Sequence, residues 1–382
     1  MTRAVPRTVL HAASFAPEHP GNFVAALEAL DRAGAARGFR QAFAFPAAAA
    51  ARPWLADLRA AGRDVTTLPP GAGPLAATRA LARLARDRDA VLLHAHFGAY
   101  DLPAWLAARL FRGGGRPPEV LWHLHSDLER GGGAARRARE ALRWRLLSRR
   151  VHLVAVSPHV REQAAARGVD PARVRVLPNG VDTGRARISD AEPSAARAAA
   201  GIGPDRTVLL VFGWDPERKG ADLALEAMEA LAPGAPGLVL ALVGGPALEA
   251  FVGARYGGTP PPWLRVLPPH AHPADYYRMA DLFLSASRRE GMPYSVAEAM
   301  ANGRPVLASR IPGHRPALEA PGAVGFGPGD AGALEGAIRE ALGWSPEERA
   351  RRGEANRAFA DARLGIGAWT EGMLAIYEGI LG

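Results

Sequence analysis

Short β-branched and leucine-rich runs alternate with alanine-rich stretches of helical period along most of this chain. Parallel strands covered on both faces read as near-continuous apolar runs, so the alternation predicts βα units on parallel sheets. In the first half it places strands at Thr8–Ala12, Gln41–Phe45, Val65–Leu68, Ala90–His94, Val120–His125 and His152–Val156. The rhythm breaks at Val176-Leu-Pro-Asn-Gly-Val-Asp182 and through a polar Ala/Ser/Pro stretch to Pro204. It restarts with Thr207–Phe212, Leu238–Val243, Leu264–Leu267, Asp281–Ala286 and Pro305–Ala308. The tail has no strand signal. Ser345–Asp361 is charged and helical, and Ile366–Leu381 sets Trp369, Met373, Leu374, Ile376, Tyr377, Ile380 and Leu381 at helical spacing. Two α/β halves with a seam near residue 180 follow.

Composition narrows this only a little. A length of 382 residues suffices for two domains with separate cores. No run of eighteen or so apolar residues exists to span a membrane, and the first residues lack a secretory h-region. With no cysteine, disulfides and thiolate sites are excluded. The expected location is the cytoplasm. A net charge of +9, mostly arginine, suits anionic partners without choosing among them.

The chemistry concentrates in Ser285-Ala-Ser-Arg-Arg-Glu-Gly-Met-Pro-Tyr-Ser-Val-Ala-Glu-Ala-Met-Ala-Asn-Gly-Arg-Pro-Val-Leu-Ala-Ser309. Glu290 falls in a Gly/Pro loop and Glu298 inside the following helix. Pro293 suits the first helical position, which leaves the N–H groups of Tyr294 and Ser295 and the helix dipole to hold a pyrophosphate. Two acceptors beside an anion site suit a ligand that carries phosphates and hydroxyls, such as a nucleotide sugar. Phe212-Gly-Trp-Asp-Pro-Glu-Arg-Lys-Gly220 sets a glycine-flanked turn with paired cations at a strand's C-terminal end, where open α/β sheets bind ligands. Arg218 or Lys219 could neutralise a leaving phosphate there, or both could be solvated loop residues.

The Glu-x7-Glu spacing followed by Ala-Met-Ala-x-Gly-x-Pro-Val resembles the signature of glycosyltransferase family 4. Val154-Ala-Val-Ser-Pro-His159, Arg175-Val-Leu-Pro-Asn-Gly-Val-Asp182 and the Gly213–Gly220 turn match the family in the same order. The resemblance covers most of the chain and is strongest from about residue 150 to 310. It implies the GT-B fold: two Rossmann-like domains facing across a cleft, with the C-terminal helix crossing back to the N-terminal domain. The domains would be residues 1–178 with about 362–382 on the acceptor side, and 179–361 on the donor side. It further implies a retaining, metal-independent transfer of sugar from a nucleotide-diphosphate donor, UDP-sugar favoured, with no cofactor. The acceptor stays unidentified: a small molecule, a lipid or a glycan.

Carried over residue by residue, Glu298 would bind ribose hydroxyls. Glu290, with the backbone of Gly291, Met292, Pro293 and Tyr294, would hold the donor sugar. Gly213, Arg218 and Lys219 would serve the diphosphate, and the leaving oxygen would take the acceptor's proton. The chain departs from the family at Trp214, where an arginine usually stands; Arg218 is expected to supply the second charge. From the first domain, Gly21 would touch the pyrophosphate, while Asn22, His96, His125 and Asn179 would lie on the acceptor side, with His125 joining Glu290, Arg218 and Lys219 as a catalytic residue. A plain βα turn at Asn22 and a structural turn at Asn179-Gly180 remain open, since that dipeptide tolerates positive φ.

The pairs His94/His96 and His123/His125 fall at strand ends, where alternation points both rings of a pair to one side. That geometry can bind zinc, but such a site needs a third ligand and orienting carboxylates, so no metal is expected. His270/His272 reads as loop polarity beside the nucleotide base. Asp87-Arg-Asp89 precedes a strand and reads as a solvated helix end, and Gly71–Ala76 imitates a dinucleotide fingerprint that Pro74 breaks. Arg136–Arg150 reads as an amphipathic surface helix packed by Ala138, Leu142 and Leu146, with contact to anionic membrane through Trp144 as the alternative. No nucleic acid partner is expected. Two rival functions stand beside glycosyl transfer: a nucleotide-sugar 2-epimerase of the same fold, and a non-catalytic protein that binds anionic membrane or nucleic acid.

Overall fold

The computed structural model describes residues 6–69, 73–111, 116–128, 144–145, 147–186, 193–270 and 273–382. It divides into two compact units, residues 1–180 with 366–382, and residues 181–365.

The first unit holds β1 (Arg7–Ala13), β2 (Phe39–Phe45), β3 (Asp64–Thr67), β4 (Ala90–His96), β5 (Glu119–Leu124), β6 (His152–Ala155) and β7 (Val174–Val176). They form one parallel sheet in the order β3-β2-β1-β4-β5-β6-β7. The strand order reverses between β1 and β4, and such a switch point opens a crevice beyond the strands' C-terminal ends. In register across it, His11 on β1 pairs with His94 on β4, and His96 on β4 pairs with His123 on β5.

The second unit holds β8 (Thr207–Phe212), β9 (Leu238–Val243), β10 (Leu264–Leu267), β11 (Leu282–Ser285), β12 (Val306–Ser309) and β13 (Ala323–Phe326). Its sheet runs β10-β9-β8-β11-β12-β13, all parallel, with the switch point between β8 and β11. The Gly213–Gly220 turn leaves β8 and the Ser285–Glu290 loop leaves β11, so both arise at that one point.

β7 and β13 carried no prediction. Each is short and lies at a sheet edge, and each breaks the apolar run, with Arg175 in one and Gly325 in the other. The last helix, Ile366–Leu381, belongs to the first unit. It buries Trp369, Met373, Leu374, Ile376 and Tyr377 against Val9, Leu30, Phe39, Leu92 and Leu121. The second unit has its own core around Leu209, Val211, Leu225, Met228, Leu240, Leu284, Leu307 and Ile338.

Three expectations change. Pro293 sits one residue ahead of the helix Tyr294–Ala301, with an extended ψ of 126°. Neither Asn179 nor Gly180 adopts positive φ; glycine is needed at 180 because a Cβ there would stand 2.5 Å from Trp369 Cβ. Trp144 is buried edge-on to Trp122, with ring centroids 6.0 Å apart, and so is withdrawn from any membrane surface. Residues 136–143, Leu146, His272 and Gly71-Ala72 lie outside the described residues, and with them most of the amphipathic helix and part of the fingerprint-like stretch. Among the described residues no helix is long and apolar enough to cross a membrane.

Candidate functional site

At the second unit's switch point the chain is forced to pack backbone on backbone. Gly220 has φ +69°, and a Cβ there would stand 2.2 Å from the carbonyl oxygen of Ala286. The turn Asp215–Gly220 is thereby laid against the loop after β11. The Arg288 N–H donates to the Arg218 carbonyl at 2.8 Å, and the Arg288 guanidinium grips Asp222 at 2.7 and 2.6 Å. Asp215 caps its own turn and accepts from Arg218 Nε at 2.9 Å.

This stitching brings the predicted charges together. Lys219 Nζ lies 2.5 Å from Glu290 Oε1, Arg218 Nη1 lies 3.2 Å from Glu290 Oε2, and Ser287 Oγ donates to Glu290 at 3.0 Å. Both Lys219 and Glu290 are nearly buried, with side-chain exposures of 7% and 9%. Burial alone would raise the Glu290 carboxyl, but the charges of Lys219 and Arg218 outweigh it and hold the group below the ordinary carboxylate range. Burial pulls the Lys219 ammonium down, and Glu290 opposes that pull. Arg218 and Lys219 thus face two carboxylates, Glu290 between them and Asp215 at Arg218 Nε, so both cations are paired at the ends of two strands.

Trp214 stands in the open, 58% exposed, with the Arg218 guanidinium 4.4 Å from its ring centroid and Lys219 Nζ at 5.2 Å. Gly213 is held close to Leu248, whose Cδ1 would be 3.3 Å from an added Cβ. The helix Tyr294–Ala301 begins without a side-chain cap, so its first N–H groups and dipole remain an anion-binding end. Gly291, Met292 and Pro293 are buried beneath it, and Tyr294 and Ser295 are partly exposed. Glu298 accepts from the Tyr277 hydroxyl at 2.7 Å. A separate cavity of about 430 Å³, lined in part by Ala196, Leu267, His270, Tyr276 and Met279, includes none of the charged set.

Sequence reasoning missed the support under Glu290. Ser285, Ser309 and His314 form a buried network in which His314 Nε2 is 3.1 Å from Ser285 Oγ and Nδ1 is 2.8 Å from the Ser309 carbonyl. A Cβ on Gly313 would meet the Glu290 carbonyl oxygen at 2.2 Å. The available signal was the Pro312-Gly313 turn directly after a strand in the same half. Arg288 and Asp222 were missed as well, and nothing in their local pattern marks them.

In the first unit, Gly21, at φ +55°, and Asn22 stand in the first turn of the helix Gly21–Ala36. Asn179 is buried beside Gly180. His96 and His125 join a larger assembly with His11, His94 and His123. Ring centroids are 4.0 Å apart for His94/His96 and 3.9 Å for His123/His125, so both pairs do point to one side. Phe97 holds a positive φ of 63° and stacks on His125 at 4.4 Å, a backbone strain that a non-glycine residue keeps only where its surroundings impose it. Burial pushes the histidines down, His11 to about 4 and His125 to about 3, so all are neutral imidazoles near neutral pH.

Two family models match this chain. The model for Glycosyltransferase Family 4 matches residues 27–185 and the model for Glycosyl transferases group 1 matches residues 206–343. The chain belongs to glycosyltransferase family 4. The D-inositol 3-phosphate glycosyltransferase of Segniliparus rotundus is 34% identical over 151 residues, 38% of this chain and 33% of that protein. Its namesake in Actinosynnema mirum is 34% identical over 156 residues, 38% of this chain and 37% of the relative. The chain thus spans about a third of the length of these relatives.

Solved structures cover the family 4 chain almost end to end. A glycosyltransferase from Rickettsia africae superposes with a TM-score of 0.80 at 15% identity, covering 98% of this chain and 99% of that one. Anabaena HepE, crystallised with UDP, gives 0.77 at 20% identity, covering 97% and 100%. At such identities the likeness establishes the fold, which is GT-B.

Proposed function

We propose that this protein is a glycosyltransferase that moves a sugar from a nucleotide-diphosphate sugar to an acceptor, with retained anomeric configuration and without a metal at the diphosphate. The observation that carries the reading is the ion-paired trio Arg218, Lys219 and Glu290, with Lys219 buried, at the ends of β8 and β11. A diphosphate arriving there competes with Glu290 for both cations. Charge that develops on the leaving oxygen is then met by groups already in place, which is where preorganised electrostatics lower a barrier most. Freed from the cations, Glu290 can turn to the sugar hydroxyls beside the Gly291–Tyr294 backbone, and Glu298 to the ribose. The leaving phosphate oxygen takes the acceptor's proton, which fits a site with no free base among its described residues. His125, His96, Asn22 and Asn179 in the first unit are assigned to the acceptor, and Gly21 to the pyrophosphate.

UDP in the HepE complex makes a UDP-sugar the first donor to test. The test is release of nucleoside diphosphate by the purified protein from a panel of donors. Glu290→Ala is expected to lower that release by about a hundredfold or more, the range for removing one preorganised electrostatic group. Unchanged release would sink the assignment. A product in which the sugar is epimerised instead of transferred would favour the epimerase reading.

A further inference from the structure

We propose that His96, His123 and His125 form a binding site for a divalent transition metal, zinc foremost, with water completing the coordination. The inference goes beyond glycosyl transfer; it shares His96 and His125 with the acceptor-side assignment, and its readouts, metal binding and metal-dependent melting, do not depend on that assignment.

Each of the three brings one ring nitrogen to within 4.8 Å of the others, at the C-terminal ends of β4 and β5. Tetrahedral zinc with Zn–N bonds of about 2.0–2.1 Å needs nitrogens about 3.4 Å apart, a contraction that small ring rotations supply. His96 Nδ1 and His125 Nε2 are already 2.9 Å apart. The independent observation is His123. It is 1% exposed, and neither ring nitrogen has a hydrogen-bond partner among the described residues. His125 Nδ1 is likewise buried and unpartnered. Leaving a buried polar atom without a partner is costly, so a ring with two such atoms beside another calls for a ligand. Three neutral imidazoles plus water is an established zinc donor set.

The outer shell fits as well. Gln41 Oε1 lies 2.8 Å from His11 Nε2, and His11 Nδ1 lies 3.0 Å from His96 Nε2. When His11 donates to Gln41, its Nδ1 must accept from His96 Nε2–H. That leaves the lone pair of His96 on Nδ1, the atom that faces His125. A ligand histidine whose second nitrogen donates to a fixed acceptor is the usual arrangement at metal sites. The alternative triad of His11, His94 and His96 is less suited, because His11 has both nitrogens engaged and His94 Nδ1 is 2.7 Å from the Tyr377 hydroxyl. The missing third ligand, which argued against a metal from sequence, is supplied by the neighbouring strand. His125 is only partly buried and gives an ion a way in.

The test uses tag-free full-length protein stripped with chelator and titrated with cobalt(II). One equivalent should bind with the visible spectrum of nitrogen-ligated, tetrahedral cobalt, and zinc should displace it. His123→Gln and the more exposed His125→Gln should each abolish that spectrum, while His270→Gln, in the other unit, should leave it intact. Zinc but not magnesium should also raise the melting temperature of the unaltered protein, a readout that does not depend on any variant folding. Absence of the spectrum, its survival in His125→Gln, or a melting temperature indifferent to zinc would each overturn the proposal.

Discussion

Trp214 stands where the family resemblance leads one to expect an arginine. The indole is exposed, and the Arg218 guanidinium stacks on it at 4.4 Å. A guanidinium on an aromatic face keeps its charge and all its donors, and the stack restricts its rotamers at little cost. His314 shows how a buried group can report on the same site. It is fully buried, and burial pushes its pKa down to about 4, against partial opposition from the Ser309 carbonyl and Glu290. The folded protein therefore keeps it neutral while the unfolded chain takes up a proton below about 6.5. Its contribution to stability is full above pH 6.5, falls between 6.5 and about 4 at about 1.4 kcal/mol per pH unit, and stays level below that. Glu290, held low, adds a loss only beneath the ordinary carboxylate range. Denaturant melts from pH 7.5 to 4.5 should show a slope shallower in His314→Asn than in the parent by about that amount. Equal slopes would mean that His314 is already protonated, or freely solvated, in the folded state.

Between elements, the decisive contacts are those that leave no room for a side chain. Gly220 joins the short helix Pro216–Lys219 to Ala221–Leu231 at positive φ, and a Cβ there would enter the Ala286 carbonyl. Gly257 ends the helix Pro246–Tyr256 at φ +61° with open space around it. Gly257→Ala should cost only the left-handed penalty, about 1 kcal/mol. Gly220→Ala should cost several kcal/mol, because backbone must move, and should weaken nucleoside diphosphate binding as Lys219 shifts. Comparable denaturation midpoints for the two variants would show that the close approach at Gly220 is not real. The same contrast explains what the sequence disclosed. Eleven strands, the Glu290 loop, the helix that carries Glu298 and the Arg218-Lys219 turn were legible because each is written locally, as an apolar run or as a turn with charges. The Arg288–Asp222 clamp and the His314–Ser285 bond under Glu290 were not, since their partners lie 66 and 29 residues apart in sequence and meet only through sheet order. The histidine pairs were legible as pairs; that β1 would slot beside β4 and bring His11 to them was not.

For the whole chain, the division of cores sets what each segment can do alone. The first unit is discontinuous: its sheet is built from the N-terminal half, but one face is closed by Ile366–Leu381. Trp369, Met373, Leu374, Ile376 and Tyr377 are each at most 8% exposed, and His94 bonds the Tyr377 hydroxyl. At about 1.5–3 kcal/mol for each buried side chain, an upper estimate, removing them forfeits about 10 kcal/mol. That matches the whole stability of an ordinary domain, about 5–15 kcal/mol. The second unit closes its own core within residues 181–365 and loses none of these contacts. A chain ending at Gly365 should therefore unfold in one unit and persist in the other. Hydrogen exchange followed by peptide mass spectrometry distinguishes them: β1, β2, β4 and β5 should exchange freely, while β8, β9, β11 and β12 stay protected. Protection of β1 and β4 equal to that in the full chain would show that the last helix is an accessory to the first unit instead of part of its core. Loss of protection in β8 and β11 would show that the second unit depends on more than its own interior.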